Sequence, residues 1–356
     1  MIRIEDERLE DRKVRVLVVD DAAFMIKAVS DILASDPQVE VVGSARNGQE
    51  GLEKIKELKP DVITLDVDMP VMDGLRTVRH IMIESPVPVV MLSSLFSDGA
   101  ITFEALRLGV VDFLPKPSGA ISRDIEEAKH LIIDRVKIAA SINIFNIHRV
   151  KLIPWDSEDM LEERYAFQPL DYLVAIGTTL GGPNTVIRLL AQLPPKLPAA
   201  VIVQQEISLK IREAFVKKFD EHVGWKVEVA RDGTLIEQGT CYIGSTEESV
   251  TVQVNEDGEA SLRVSSESPA RPLNDLFSSV SAIFESHAIG VLLTGVGDDG
   301  ADGFAAIRSR SGTTIAQTTN TCVYPNLTEY AIERGTVDHV IDERDLADRI
   351  EASMIQ

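Results

Sequence analysis

The sequence predicts an α/β protein in two parts. The first is an N-terminal (βα)5 sheet of flavodoxin-like type, and the second a C-terminal doubly wound, mostly parallel sheet. Three observations predict this. At 356 residues the chain exceeds one ordinary domain. Over 14–135, short Val/Ile/Leu-rich runs alternate with segments of helical period, as a parallel sheet covered on both faces requires. The alternation resumes over 171–348, after a segment at 136–170 that starts helical, loses its period and reads as a linker.

Residues 1–13 are polar and read as a loose tail. Strands follow at 14–19, 39–43, 61–65, 87–92 and 110–114. The helix at 22–34 sets Phe24, Met25, Ala28, Val29 and Ile32 on one face. Asn47-Gly48 opens the next helix, with Leu52 and Ile55 inward, and a helix near 121–140 closes the first domain. In the second half, strand 172–176 runs into Gly177-Thr-Thr-Leu-Gly-Gly-Pro183 and a helix through Leu190. Strand 199–205 precedes helix 208–220. Short runs near 226–230, 240–243, 249–254 and 260–264 read as a smaller antiparallel part. Helix 273–285, strand 288–294, the loop Gly295–Gly303, strand 313–317 and helix 327–333 complete the pattern.

Composition removes several function classes. The formal charge is −21 and no Lys/Arg-rich run interrupts it, which argues against nucleic-acid binding. Two cysteines, Cys241 and Cys322, give neither a disulfide framework nor a cysteine metal site. The charged N-terminus lacks the apolar core of a signal peptide, and no apolar run reaches spanning length. The expectation is a cytoplasmic protein that is not membrane-embedded.

Chemistry concentrates where strands stop. Asp20 and Asp21 end the first strand, Asp66 the third, Ser93 the fourth, and Lys116 follows the fifth. After Asp66, Pro70 and Gly74 forbid continuation of the strand. Three carboxylates at one sheet edge repel unless a cation or proton neutralises them, and a hard oxygen-ligated ion such as Mg²⁺ suits them. A carboxylate beside such an ion can attack a phosphoryl donor, with Lys116 and Ser93 contacting the phosphoryl oxygens. Helix capping would account for Asp20 or Asp21 alone, but not for the whole set.

Residues 14–135 resemble a response-regulator receiver domain, through Asp20/Asp21, Asp66, Ser93, Phe113 and Lys116-Pro117. The resemblance implies phosphorylation of Asp66 by a sensor histidine kinase. It also implies Mg²⁺ held among Asp20, Asp21, Asp66 and the backbone of Asp68. Ser93 and Phe113 would be the switch residues, Ser93 following the phosphoryl group and Phe113 turning inward.

Gly177–Pro183, Gln204-Gln205-Glu206 and Leu293–Gly300 in turn resemble the chemotaxis protein-glutamate methylesterase (CheB) family. Arg271–Phe277, Gly312–Gln317 and Ala331–Asp338 support this. The first loop of that family carries a serine nucleophile where Thr179 stands. Its base is a histidine where Glu206 stands, and its orienting acid matches Asp299. A carboxylate of ordinary pKa is a feeble base for an alcohol, and loss of nucleophile or base from such a triad costs on the order of a million-fold. The expectation is therefore a two-component chemotaxis regulator whose output domain binds and is catalytically impaired. The alternative is an active methylesterase or glutamine deamidase. Methyl-accepting chemoreceptors are the candidate targets in either case.

Overall fold

The computed structural model describes residues 12–93, 99–117, 123–147, 170–267 and 269–354. All of the expected tail before residue 12 and most of the expected linker lie outside those residues. The chain divides into one unit of Met1–Phe96 with Glu104–Phe145, and a second of Ser97–Phe103 with Asn146–Gln356.

The first unit is built on β1 (Val14–Val19), β2 (Val39–Ala45), β3 (Val62–Asp66), β4 (Val89–Ser93) and β5 (Asp112–Pro115). All four pairings are parallel, in the order β2-β1-β3-β4-β5. The winding reverses between β1 and β3, which opens a crevice at their carboxyl ends. β3 and β4 are buried at every residue, so they appear in the sequence as mostly apolar runs without a polar–apolar alternation. The unit's helices are α1 (Ala23–Ala34), α2 (Gly48–Leu58), α3 (Gly74–Glu84) and α5 (Arg123–Ser141), while α4 (Gly99–Leu108) is divided between the units, Gly99–Phe103 falling in the second. Asn47 caps α2 by accepting from Glu50 N at 2.9 Å, and Asp73 caps α3 by accepting from Arg76 N at 2.8 Å. Each such cap is worth about 1 kcal/mol.

One local expectation changes. Phe24 is not part of the inward face of α1; it is 75% exposed, while Val29 and Leu33 are buried. The buried stripe runs through residues four apart, and Phe24 lies one helical step outside it. The helix closing this unit ends at Ser141, one residue beyond the expected 140.

The second unit holds a seven-stranded parallel sheet, β14-β13-β12-β6-β7-β9-β8. Its strands are β6 (Tyr172–Thr178), β7 (Ala199–Gln205), β8 (Lys226–Val229), β9 (Thr240–Ser245), β12 (Ala288–Leu292), β13 (Thr313–Gln317) and β14 (His339–Ile341). The expected antiparallel part shrinks to the hairpin of β10 (Ser249–Val254) and β11 (Ala260–Ser265). β8 and β9 instead pair in parallel and extend the main sheet. Alternation in a four-residue run reports burial, not direction, so the sequence left this open. β14 and the last helix went unread because each is short.

The helices of this unit are α6 (Gly182–Gln192), α7 (Leu209–Asp220), α8 (Pro272–Phe284), α9 (Ala301–Ser309), α10 (Asn326–Glu333) and α11 (Leu346–Ala352). α6 is buried at every residue from Gly182 to Leu190. It opens on Gly181 at φ +74, where any Cβ would also stand 3.0–3.2 Å from the Val323 side chain. Among the described residues no helix is long and apolar enough to cross a membrane.

Candidate functional sites

In the first unit the crevice between β1 and β3 collects the expected acids. Asp20 and Asp66 are buried, Asp21 is exposed, and a carboxylate oxygen from each lies within 4.8 Å of the others. Lys116 Nζ reaches in after β5, at 2.7 Å from Asp20 Oδ2 and 2.8 Å from Asp66 Oδ2. The remaining oxygens accept backbone N–H groups, Asp20 Oδ1 from Ala22 and Asp66 Oδ1 from Val67. α1 starts on Ala22 with no side-chain cap, so the acids are not consumed in capping it.

Burial lifts the Asp66 carboxyl above its ordinary pKa, and the adjacent Lys116 offsets this only in part. Burial opposes the charge on Lys116, but its two carboxylate partners hold its pKa above the usual value. One ammonium thus stands between two buried carboxylates, and the third acid opens the cluster to solvent. A hard cation with retained waters fits such a donor set.

Ser93 is buried at the end of β4, and its carbonyl accepts from Lys116 N at 3.0 Å, tying the ends of β4 and β5 together. Phe113 is buried on β5. The Asp68 side chain is exposed. The loop after Asp66 is fixed by Gly74 N donating to Val67 O at 2.8 Å and passes through Val71, a β-branched residue at φ +68.

In the second unit Thr179, Glu206 and Asp299 come to the carboxyl edge of three neighbouring strands, β12, β6 and β7. Thr178 pairs with Gln205 at the end of the β6–β7 ladder, so one step further sets Glu206 level with Thr179. The side chains are otherwise engaged. Thr179 Oγ1 accepts from Val296 N at 2.6 Å and donates to Val296 O at 3.0 Å. Asp299 accepts from Leu273 N at 2.7 Å, Asn274 N at 3.2 Å and Gly300 N at 2.8 Å. Burial nevertheless leaves the Asp299 carboxyl above its usual range, with those three amides pulling the other way. Glu206 is half-buried.

Four polar residues that sequence reasoning did not single out build the frame of this edge. Thr178 Oγ1 donates to Thr294 O at 2.6 Å, and Gln317 Oε1 accepts from Thr294 N at 3.0 Å. Asn274 Oδ1 accepts from Gly300 N and Gly303 N, and Asn326 Oδ1 from Gly297 N. A polar residue closing an apolar strand was the only sequence signal, and it marks Thr178 and Gln317 but neither asparagine. Gln205 is fully buried, and neither end of its carboxamide has a hydrogen-bond partner. Three histidines have other neighbours: His222 contacts Lys218 O, His287 packs on Tyr172, and His339 meets Arg349.

Comparison with known proteins finds two families along the chain. The response regulator receiver domain family matches residues 16–125, and the CheB methylesterase family matches residues 174–350. A protein-glutamate methylesterase/protein-glutamine glutaminase of Geobacillus kaustophilus is 40% identical over 354 residues, covering 97% of this chain and 99% of that protein. Proteins of the same name from Halalkalibacterium halodurans and Pyrococcus abyssi are 37% identical over 349 residues and 36% identical over 340. They cover 96% and 94% of this chain, and 98% and 91% of their own lengths. A receiver domain followed by a CheB methylesterase domain, matched end to end by these relatives, places the chain in the protein-glutamate methylesterase/protein-glutamine glutaminase family.

Proposed function

We propose that Asp66 accepts a phosphoryl group from a sensor histidine kinase, and that this controls an output domain directed at glutamate methyl esters or glutamine side chains of chemoreceptors. The observation that carries the receiver half is the grouping of Asp20, Asp21, Asp66 and Lys116 at one strand edge. Mg²⁺ bound among Asp20, Asp21, Asp66 and the Asp68 carbonyl would neutralise charge on the transferring oxygens. An Asp66 carboxylate oxygen forms the new O–P bond as the N–P bond of the phosphohistidine breaks, and the imidazole leaves with the bonding pair and takes up a proton. Lys116 then exchanges its Asp66 contact for a phosphoryl oxygen. Ser93 and Phe113 report the change to the rest of the sheet.

For the output half, full-length similarity to proteins named for the activity supports a working hydrolase. Water would cleave the ester to carboxylate and methanol, or the carboxamide to carboxylate and ammonia. A second reading, binding without turnover, rests on a specific observation. The Thr179 proton is directed at a backbone carbonyl rather than a base, and a carboxylate, Glu206, stands where the family has histidine.

Two measurements on the full chain separate these readings. Mg²⁺-dependent labelling by acetyl phosphate should vanish in Asp66→Ala; labelling that survives removes the phosphosite. Methanol release from methylated receptor that Thr179→Ala abolishes supports hydrolysis through Thr179. Absence of release from the phosphorylated wild type leaves the binding reading in place.

A further inference from the structure

We infer that Thr179 and Asp299 are positioning residues, whose hydroxyl and carboxylate clamp the Gly295–Gly300 loop against β6 and α8 instead of passing a proton. This deepens the reading of the output site given above.

The clamp begins at Thr179. A hydroxyl has one proton, and here it is donated to Val296 O while the hydroxyl oxygen accepts Val296 N–H. Both atoms of one backbone unit are therefore satisfied by one side chain. The fit is close: a Cβ at Gly295 would stand 2.4 Å from Thr179 Oγ1, so the loop approaches only because that residue is glycine. Thr178 adds a bond to Thr294 O immediately upstream.

The far end is a reciprocal helix cap. α8 begins after Arg271 and α9 after Gly300, and neither has a capping side chain of its own. Asp299, just before α9, takes the Leu273 and Asn274 amides in the first turn of α8. Asn274, inside α8, takes the Gly300 and Gly303 amides at the start of α9. Each helix thus satisfies orphan donors of the other. Between the two ends, Asn326 Oδ1 accepts from Gly297 N at 2.7 Å, and Gly295 bonds Tyr324 O and Leu327 N.

This arrangement accounts for an acid at 299 in a chain that lacks the family's serine and histidine. Its carboxylate is bound to three amides whether or not a proton ever moves. The edge it stiffens is a preformed surface, which suits recognition of a receptor segment.

Amide hydrogen exchange on the full chain tests the inference without reference to turnover. Thr179→Val should speed exchange at Val296 by about tenfold, while Thr179→Ser, which keeps the hydroxyl, should leave it near wild type. Asn274→Ala and Asp299→Ala should each loosen amides of both helix starts, with a double variant less than additive. Unchanged Val296 exchange in Thr179→Val overturns the inference, as does equal acceleration in Thr179→Ser. Loss of methanol release in Thr179→Ala with wild-type exchange also overturns it and leaves the hydrolase reading standing. Absence of release, with exchange altered as expected, removes the hydrolase reading alone.

Discussion

The Lys116 ammonium lies 2.8 Å from Asp66 Oδ2 while also contacting Asp20, and so it occupies the charge-neutralising role that a divalent ion would take over. Removing it leaves two buried carboxylates facing each other. Lys116→Met is therefore expected to bind Mg²⁺ more tightly than wild type and to be stabilised more by it, as read by calorimetry and by thermal melts with and without EDTA. An unchanged Mg²⁺ response would show that the ammonium and the ion do not share this site.

Val71 sits at φ +68 and is 81% exposed, so no packing offsets its backbone strain. The left-handed region costs an ordinary residue about 1–2 kcal/mol, and β-branching makes it a poor choice there. Val71→Asn should raise the urea midpoint of the receiver by an amount equivalent to about 1 kcal/mol, with the slope unchanged. A midpoint at or below wild type would place the strain elsewhere.

Arg188 is the single cationic side chain of α6, paired with Glu343 Oε1 at 2.7 Å. Both are largely buried, and Nε and Nη1 of the arginine lack partners. Burial pushes the Glu343 carboxyl above its ordinary range, with Arg188 drawing it back. Arg188→Ala should cost about 3 kcal/mol, since it strands a buried carboxylate. Arg188→Met with Glu343→Leu should recover most of that, and a double variant as unstable as the single one would refute the account.

The receiver was legible because its chemistry stands at strand ends, where an acid followed by Pro70 and Gly74 marks both the stop and the site. Asp20, Asp21, Asp66 and Lys116 meet as the strand pattern required. The face of α1 was legible only to within one helical step, which is why Phe24 was misplaced. The direction of β8 and β9 was not encoded locally, since crossover geometry decides it. In the output site the sequence brought Thr179, Glu206 and Asp299 to one sheet edge. It could not show that two of them bond to backbone, because those amides belong to the first turn of α8, 25 and 26 residues from Asp299, and to a loop 117 residues from Thr179.

The edge strand β14 carries a pH dependence whose sign follows from one contact. Arg349 Nη2 lies 2.6 Å from His339 Nε2, a geometry in which guanidinium N–H donates to neutral imidazole. Partial burial, then repulsion from Arg349, hold the His339 pKa below its ordinary 6.5, with Asp338 opposing. In the unfolded chain the imidazole takes its proton more readily than in the fold. The contribution to stability is thus fully present above about pH 6.5 and is lost as pH falls toward the folded value. His339→Gln keeps a hydrogen-bond acceptor for Arg349 and cannot charge, so its stability should decline less than wild type between pH 7 and 5. Parallel decline of the two proteins across that interval, followed by chemical denaturation, would mean that other groups set the acid sensitivity.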